Sequence, residues 1–392
     1  MRQREELRNQ APPSQSPVPP GGEAVAVPWR RICLEVLFSR LILAAVALLA
    51  RLAIRPGPHD EPTKQGVLQI FFQWDSYWFL SIVNQGYLYD PAKQSSVAFF
   101  PLYPALVWTL SLGRTLDPIA VGFALSLACQ AIACCVLWRI TMRHLRNEAT
   151  ATLSYRLMLL FPTAFFASIF YSEGLFLCLL ALCLDASDRK AWWEAALWGA
   201  ALSLTRSVGI VAVLPIALSA ISLAGSPRRV TIDWGAAKAV LGTMAGLGIY
   251  CGGLWWAYGD PIAFMTVQKN WGRTLASPLL PFLDGFHNNG TPLFQRTFHR
   301  WSLYGFGLVT AYGLWARMPL RWISLLIVLP LIFVSTTVLD SIPRYLLTVC
   351  TAFPILAHAG VRWPMLGAGL ALLLAMLQTL CVILFTNGYF FI

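Results

Sequence analysis

Long, unbroken apolar runs constrain this chain more than any other feature. They fall near Leu34–Ile54, 118–138, 149–170, 173–187, 191–205, 207–224, 236–257, 301–316, 320–339, 343–360 and 363–385. A backbone placed in hydrocarbon must satisfy its own hydrogen bonds, so only helices and closed barrels can span a bilayer. Barrel strands alternate apolar and polar residues over roughly ten positions. These runs do not alternate, and most approach the length of a spanning helix. The fold class is therefore all-α: a polytopic integral membrane bundle of about eleven transmembrane helices. Composition agrees. Of 392 residues, 57% are apolar and 12% charged, with a mean hydropathy of +0.61, too little charge to cover a soluble enzyme.

Residues 1–31 read as a cytoplasmic, disordered tail. A charged stretch, MRQREELRNQ, is followed by APPSQSPVPPGG, too rich in proline and glycine for a helix. The first apolar run reads as an uncleaved anchor, and residues 32–392 as one transmembrane domain with a long first outer loop at about 55–116. Lys and Arg number 29 against 18 Asp and Glu, a net charge of +11. In a membrane chain this is the positive-inside bias, and no nucleic-acid partner is implied. An inside N-terminus puts Arg139, Arg143, Arg146, Arg189, Lys190, Arg228, Arg229, Arg317, Arg321 and Arg362 on the cytoplasmic side. FFPLYPALVWTLSLG (99–113) could also be read as a span, but that would invert the downstream basic loops. It is placed as a helix lying in the interface, as is the amphipathic QIFFQWDSYWFLSIVNQGY (69–87).

The nine cysteines lie in or beside apolar runs without a CxxC pair, and they read as small packing residues. Five scattered histidines (59, 144, 287, 299 and 358) have no ligand spacing, and there is no nucleotide-binding glycine loop. No metal site and no cofactor are expected from these residues, although a divalent metal is not excluded.

Ionisable residues beside apolar runs are rare and often functional. Asp75 lies between Trp74 and Tyr77–Trp78. It is either a general base or a solvated, helix-capping aspartate. Glu173 is an isolated acid at the outer turn of FFASIFYSEGLFLCLL, either part of a site or a turn-former at the water interface. Arg206 in LSLTRSVGI stands on the outer face, against the basic bias. It either pairs with Glu173 or Asp75 or binds an anion such as phosphate. Arg344 follows Pro343 at a helix start, where an anion or a lipid headgroup is favoured. In YGDPIAFMTVQKNWGR, Gln268, Lys269, Trp271 and Arg273 could lie on a short outer helix, either a substrate lid or a loop.

WDSYWFLSIVNQGY (74–87) followed by AFFPLYP (98–104) resembles the signature of the PIG-V, or GPI mannosyltransferase II-like, family. The likeness continues in order through FPTAFFASIFYSEGLF (161–176), LTRSVGI (204–210), GDPIAFMTVQKNWGR (259–273) and SIPRYLLTVCTAFPIL (341–356). The resemblance implies a GT-C-like fold and a polyprenyl- or dolichyl-phosphate-mannose donor. It further implies inverting transfer on the non-cytoplasmic face to a glycan, glycolipid or protein acceptor. It maps the family's first-loop aspartate onto Asp75 as the base. Substrate-binding candidates are Glu173, Arg206, Arg344, Trp74, Tyr77, Gln268 and Lys269. The compact chain points to a bacterial homologue in the cell membrane; a eukaryotic one would sit in the endoplasmic reticulum membrane. A transporter or flippase of a lipid-linked sugar is the alternative, but it would more often carry internal repeats and broken helices meeting at mid-membrane. A one-site enzyme requires Asp75, Glu173, Arg206 and Arg344 to converge.

Overall fold

The computed structural model describes residues 26–58, 66–224, 229–279, 293–339 and 341–389. Residues 1–25 of the expected tail, His59, Arg228, His287 and Asp340 lie outside the described residues.

The chain is a helical bundle. Its helices in order are α1 (Trp29–Ala53), α2 (Val67–Ile70), α3 (Asp75–Gln85), α4 (Leu102–Leu110), α5 (Pro118–Leu145), α6 (Glu148–Leu160), α7 (Glu173–Asp188) and α8 (Trp192–Thr205). Then come α9 (Val213–Ala220), α10 (Ala236–Tyr258), α11 (Ala263–Thr266), α12 (Leu293–Trp315), α13 (Leu320–Val334), α14 (Ile342–Leu347), α15 (Ala352–Arg362) and α16 (Pro364–Thr386). One antiparallel hairpin, β1 (Ile221–Ala224) and β2 (Arg229–Ile232), follows α9, with Ile221 opposite Ile232.

Among the described residues, four helices are long and apolar enough to cross a bilayer: α1, α5, α10 and α16. The count of about eleven spans is not carried by the structure. Three expected runs are interrupted. The run 149–170 stops at Leu160, before Pro162, and continues as turns and a short 3₁₀ segment at Ala164–Ser168. Proline has no amide hydrogen, and it disfavours helical backbone at the residue before it. The run 207–224 ends in β1, and the run 343–360 is divided between α14 and α15. The expected tail also ends earlier, because α1 begins at Trp29. Within residues 55–116, α3 has 11 residues and α4 has 9. At 1.5 Å per residue they reach only about 16 and 14 Å, half of the hydrocarbon thickness of about 30 Å.

Small residues let α8 and α10 approach closely. A Cβ on Gly199 would strike the Thr243 side chain, and one on Gly246 would strike the Ala200 backbone. Gly242 and Gly246, one turn apart, form a small-residue seam of the kind that packs helices in membranes. Larger side chains fill the centre, where Trp138, Tyr155, Trp322 and Phe353 are fully buried.

One end of the bundle is stapled by a charge cluster. Asp185 Oδ1 accepts from Arg139 Nε (3.0 Å) and Arg143 Nη2 (2.8 Å). Its Oδ2 accepts from Arg139 Nη2 (2.6 Å) and Arg189 Nε (3.1 Å). Asp188 meets His144 Nε2 at 2.6 Å and Arg321 Nε at 2.8 Å. Both carboxylates are buried, so α5, α7 and α13 cannot separate here without exposing charges to an apolar interior. Four of the arginines read as cytoplasmic are thus gathered at one end of the fold. Asp185→Ala leaves those guanidiniums uncompensated and should destabilise the protein by about 3 kcal/mol. That is the lower part of the range for a broken buried pair, because the arginines keep contact with water. It will be seen as a lower thermal midpoint in detergent, and a midpoint equal to wild type would show that the cluster is not a staple.

Candidate active site

The site lies at the opposite end of α7. Along this helix, Glu173 and Asp185 are separated by about 18 Å. Two helices start at the site with a carboxylate as their first residue: α3 with Asp75 and α7 with Glu173. Both side chains sit at the positive end of a helix dipole, where negative charge is favoured.

The segment before Asp75 is bent sharply. Trp74 has φ of +44°, unusual for a bulky side chain. Such backbone costs about 1–3 kcal/mol and persists only when its surroundings hold it. Tyr171 does much of the holding: its hydroxyl donates to Gln73 O (3.0 Å) and accepts from Asp75 N (3.3 Å). Ser76 Oγ donates to Phe170 O (3.2 Å). The Tyr171 carbonyl accepts from Ser126 Oγ (3.2 Å), which also meets the Tyr103 hydroxyl at 3.0 Å. The FFPLYP stretch therefore supports the site through Tyr103, without carrying reactive groups itself.

The four charged residues singled out in the sequence converge. Arg344 Nη1 donates to Asp75 Oδ2 at 2.7 Å, and Arg344 Nε lies 3.3 Å from Glu173 Oε1. Arg206 Nη1 donates to the same Glu173 oxygen at 2.6 Å. The order is Asp75, Arg344, Glu173, Arg206. Arg206 takes its place because α8 stops at Thr205 and the backbone at Arg206 is extended. The Arg344 guanidinium also stacks near the rings of Phe166, Tyr171 and Tyr345 at 5.2–5.5 Å. Exposure follows a gradient that matters for chemistry. The Glu173 side chain is 1% exposed and that of Arg344 8%, whereas Asp75 is 30% exposed. Asp75 is the acid a substrate can reach. Its Oδ2 is held by Arg344, and its Oδ1 has no hydrogen bond among the described residues.

The other candidates make contacts of a different kind. The Trp74 ring packs on Phe385 of α16 (4.9 Å) and the Tyr77 ring on Phe72 (4.9 Å). Gln268 Nε2 donates to Phe264 O (3.2 Å), and Lys269 is exposed. No hydrogen bond or ion pair among the described residues joins Gln268 or Lys269 to the carboxylates.

From their segment it is Arg273 whose charge bears on the site. The Tyr345 oxygen, acting more strongly than burial opposes it, holds the Arg273 guanidinium above the usual arginine range; Asp75 adds to this and Arg344 subtracts. The sequence signal was present in the order Lys-Asn-Trp-Gly-Arg. Gly272, at φ of +70°, ends the preceding turn and releases Arg273 from it. The segment expected as a lid or a loop is tied to residues 87–93. Tyr89 Oη donates to Asp260 Oδ2 (2.8 Å), Tyr258 Oη to Tyr87 O (2.9 Å) and Asn270 Nδ2 to Lys93 O (2.7 Å). Among the described residues, no three histidine, cysteine or carboxylate side chains gather closely enough to hold a metal ion.

Residues 32–225 match the family model described as Mannosyltransferase (PIG-V). The chain belongs to the PIG-V mannosyltransferase family. It is accordingly a glycosyltransferase of the membrane, acting between a sugar donor and an acceptor. No curated protein and no solved structure matches the chain. The PIG-V match contains Asp75, Glu173 and Arg206, while Arg273 and Arg344 come from the remainder of the chain.

Gly174 sets the depth of Glu173. A Cβ there would collide with the carbonyl oxygen of Ala167 and lie 2.8 Å from that of Ser126. Gly174→Ala should displace the start of α7 and with it Glu173. At least a tenfold loss of transfer is expected, since a carboxylate moved by about an ångström leaves its arginines. A PIG-V-type transfer assay on purified variant and wild type checks this, and unchanged turnover would show that the depth of Glu173 is unimportant.

Proposed function

We propose that the protein is an inverting mannosyltransferase that takes mannose from a polyprenyl- or dolichyl-phosphate donor and passes it to a hydroxyl of a glycan, glycolipid or protein. The observation that carries this is the contact of a solvent-reachable Asp75 with the buried Arg344, which shares Glu173 with the part-buried Arg206. A base and an anion-binding group must act on opposite sides of one sugar carbon, and this cluster offers both within one site.

In the proposed step, the acceptor hydroxyl attacks C1 of the mannose as its proton passes to Asp75 Oδ1. The new C1–O bond forms while the bond from C1 to the phosphate oxygen breaks. The electron pair leaves with the lipid phosphate, and attack opposite the leaving group inverts C1. Arg344 holds Asp75 in place and, with Arg206, supplies positive potential where negative charge develops. Glu173 keeps the two guanidiniums at a fixed spacing. Lipid tails lie in the surrounding bilayer.

The site is assigned to the non-cytoplasmic face, with the N-terminus cytoplasmic. This rests on the arginines gathered at the far end of α7, which a positive-inside orientation places in the cytoplasm.

Asp75→Asn keeps the size of the side chain and removes the proton acceptor. Transfer from polyprenyl-phosphate-mannose should fall by at least about 100-fold, the usual contribution of a general base. Expression and thermal midpoint should stay close to wild type. Full activity in this variant would remove Asp75 as the base. Arg206→Ala should raise the donor KM more than the acceptor KM, and equal changes would place that arginine outside the donor phosphate site.

A further inference from the structure

Two arginines of the site share the ring of Tyr345: the guanidiniums of Arg206 and Arg344 each lie 5.2 Å from its centre. The ring is held from several sides. Thr163 Oγ1 donates to Pro343 O (2.9 Å), which ties the start of α14 to the segment before α7. Tyr345 N donates to Ser341 O (2.9 Å), and Thr348 Oγ1 to Tyr345 O (2.6 Å). Phe333 of α13 packs on the ring at 5.2 Å. Tyr345 is partly exposed, whereas Arg344 beside it is buried.

The donors of Arg344 are engaged unequally. Nη1 donates to Asp75 Oδ2 at 2.7 Å, and Nε lies 3.3 Å from Glu173 Oε1. Nη2 meets the Tyr345 hydroxyl at 3.5 Å, the longest of the three contacts and at the outer limit of a hydrogen bond. Among the described residues Nη2 has no other hydrogen bond. Two donors at this separation can both reach one oxygen at about 2.8 Å, the ordinary length of a charge-assisted bond. The guanidiniums beside it favour an oxygen that carries negative charge, and a phosphate oxygen meets both requirements.

We propose that the Tyr345 hydroxyl, together with Arg344 Nη2, binds an oxygen of the donor phosphate, an assignment that rests on the lipid-phosphate donor proposed above. Nη1 and Nη2 are the two prongs of one planar fork. One prong holds Asp75 and the other receives the phosphate, so a rigid group sets the spacing of base and leaving group. Inverting transfer needs that spacing, because the two must lie on either side of one carbon. As the bond from C1 to the phosphate breaks, negative charge grows on the oxygen that these donors face, and both contacts strengthen. Arg206 reaches the same ring from its pairing with Glu173, so its charge bears on the phosphate as well.

The test uses the purified full-length enzyme with polyprenyl monophosphate as the probe. Tyr345→Phe keeps the ring against both guanidiniums and removes the hydroxyl alone. It should weaken probe binding about 10-fold, the lower part of the range for a hydrogen bond to a charged group. The acceptor KM and the thermal midpoint should stay at their wild-type values. Undiminished probe binding by Tyr345→Phe overturns the assignment, and so does a variant that raises only the acceptor KM. A wild-type enzyme that ignores polyprenyl monophosphate and transfers from a soluble nucleotide sugar overturns the donor class, and this assignment with it. Should Tyr345→Phe fold poorly, nitration of wild type by tetranitromethane serves: the probe should protect Tyr345, and equal nitration with and without it overturns the assignment.

Discussion

A buried guanidinium cannot be left alone in an apolar bundle. Arg344 is 8% exposed, and the upper half of the molecule is arranged to compensate it. Asp75 and Glu173 reach it from two different helix starts, and the rings of Phe166, Tyr171 and Tyr345 close around its faces. The bend at Trp74, the Tyr171 hydroxyl bridge and the break in the chain between Leu160 and Glu173 all deliver groups to this arginine. Packing of the bundle and assembly of the site are therefore one event. The same ion pairs that permit Arg344 to be buried set Asp75, the solvent-reachable carboxylate of the cluster among the described residues, in a fixed orientation.

The two ends of α7 show two uses of the same chemistry. At the Asp185 end, both carboxylate oxygens are taken by arginines, and the cluster fastens helices together. At the Glu173 end, pairing is incomplete: Glu173 Oε2 is buried without a hydrogen bond, and Asp75 Oδ1 is open. Asp188 Oδ1 is likewise buried without a hydrogen bond at the other end. What separates the site from the staple is exposure: Asp75 is within reach of solvent, whereas Asp185 and Asp188 are both buried.

Most of the site could be read from the chain because charge is scarce in it. Against apolar surroundings, Asp75, Glu173, Arg206 and Arg344 stand out individually, and their shared side follows from the basic bias of the other loops. Gln268, Lys269 and Arg273 could not be separated in the same way. All lie in one polar segment, where hydropathy carries no contrast, and a turn ending at Gly272 decides where the chain leaves it at Arg273. The helix count was also beyond sequence pattern. Apolar composition is shared by spans, broken helices and the α9–β1 segment, and it is proline, caps and packing partners that divide them.

The sequence by itself determined that this is a membrane-embedded helical protein of the PIG-V type with a small set of isolated charges, because apolar surface and uncompensated charge have large transfer energies that any fold must respect. Only the tertiary structure decided how those charges pair. Asp75 and Arg344 are separated by most of the chain, and their 2.7 Å contact depends on the docking of α3, α7 and α14. Transfer energies are properties of single residues and are visible in order along a chain. A pairing is a property of relative position, and it exists only once the helices have packed.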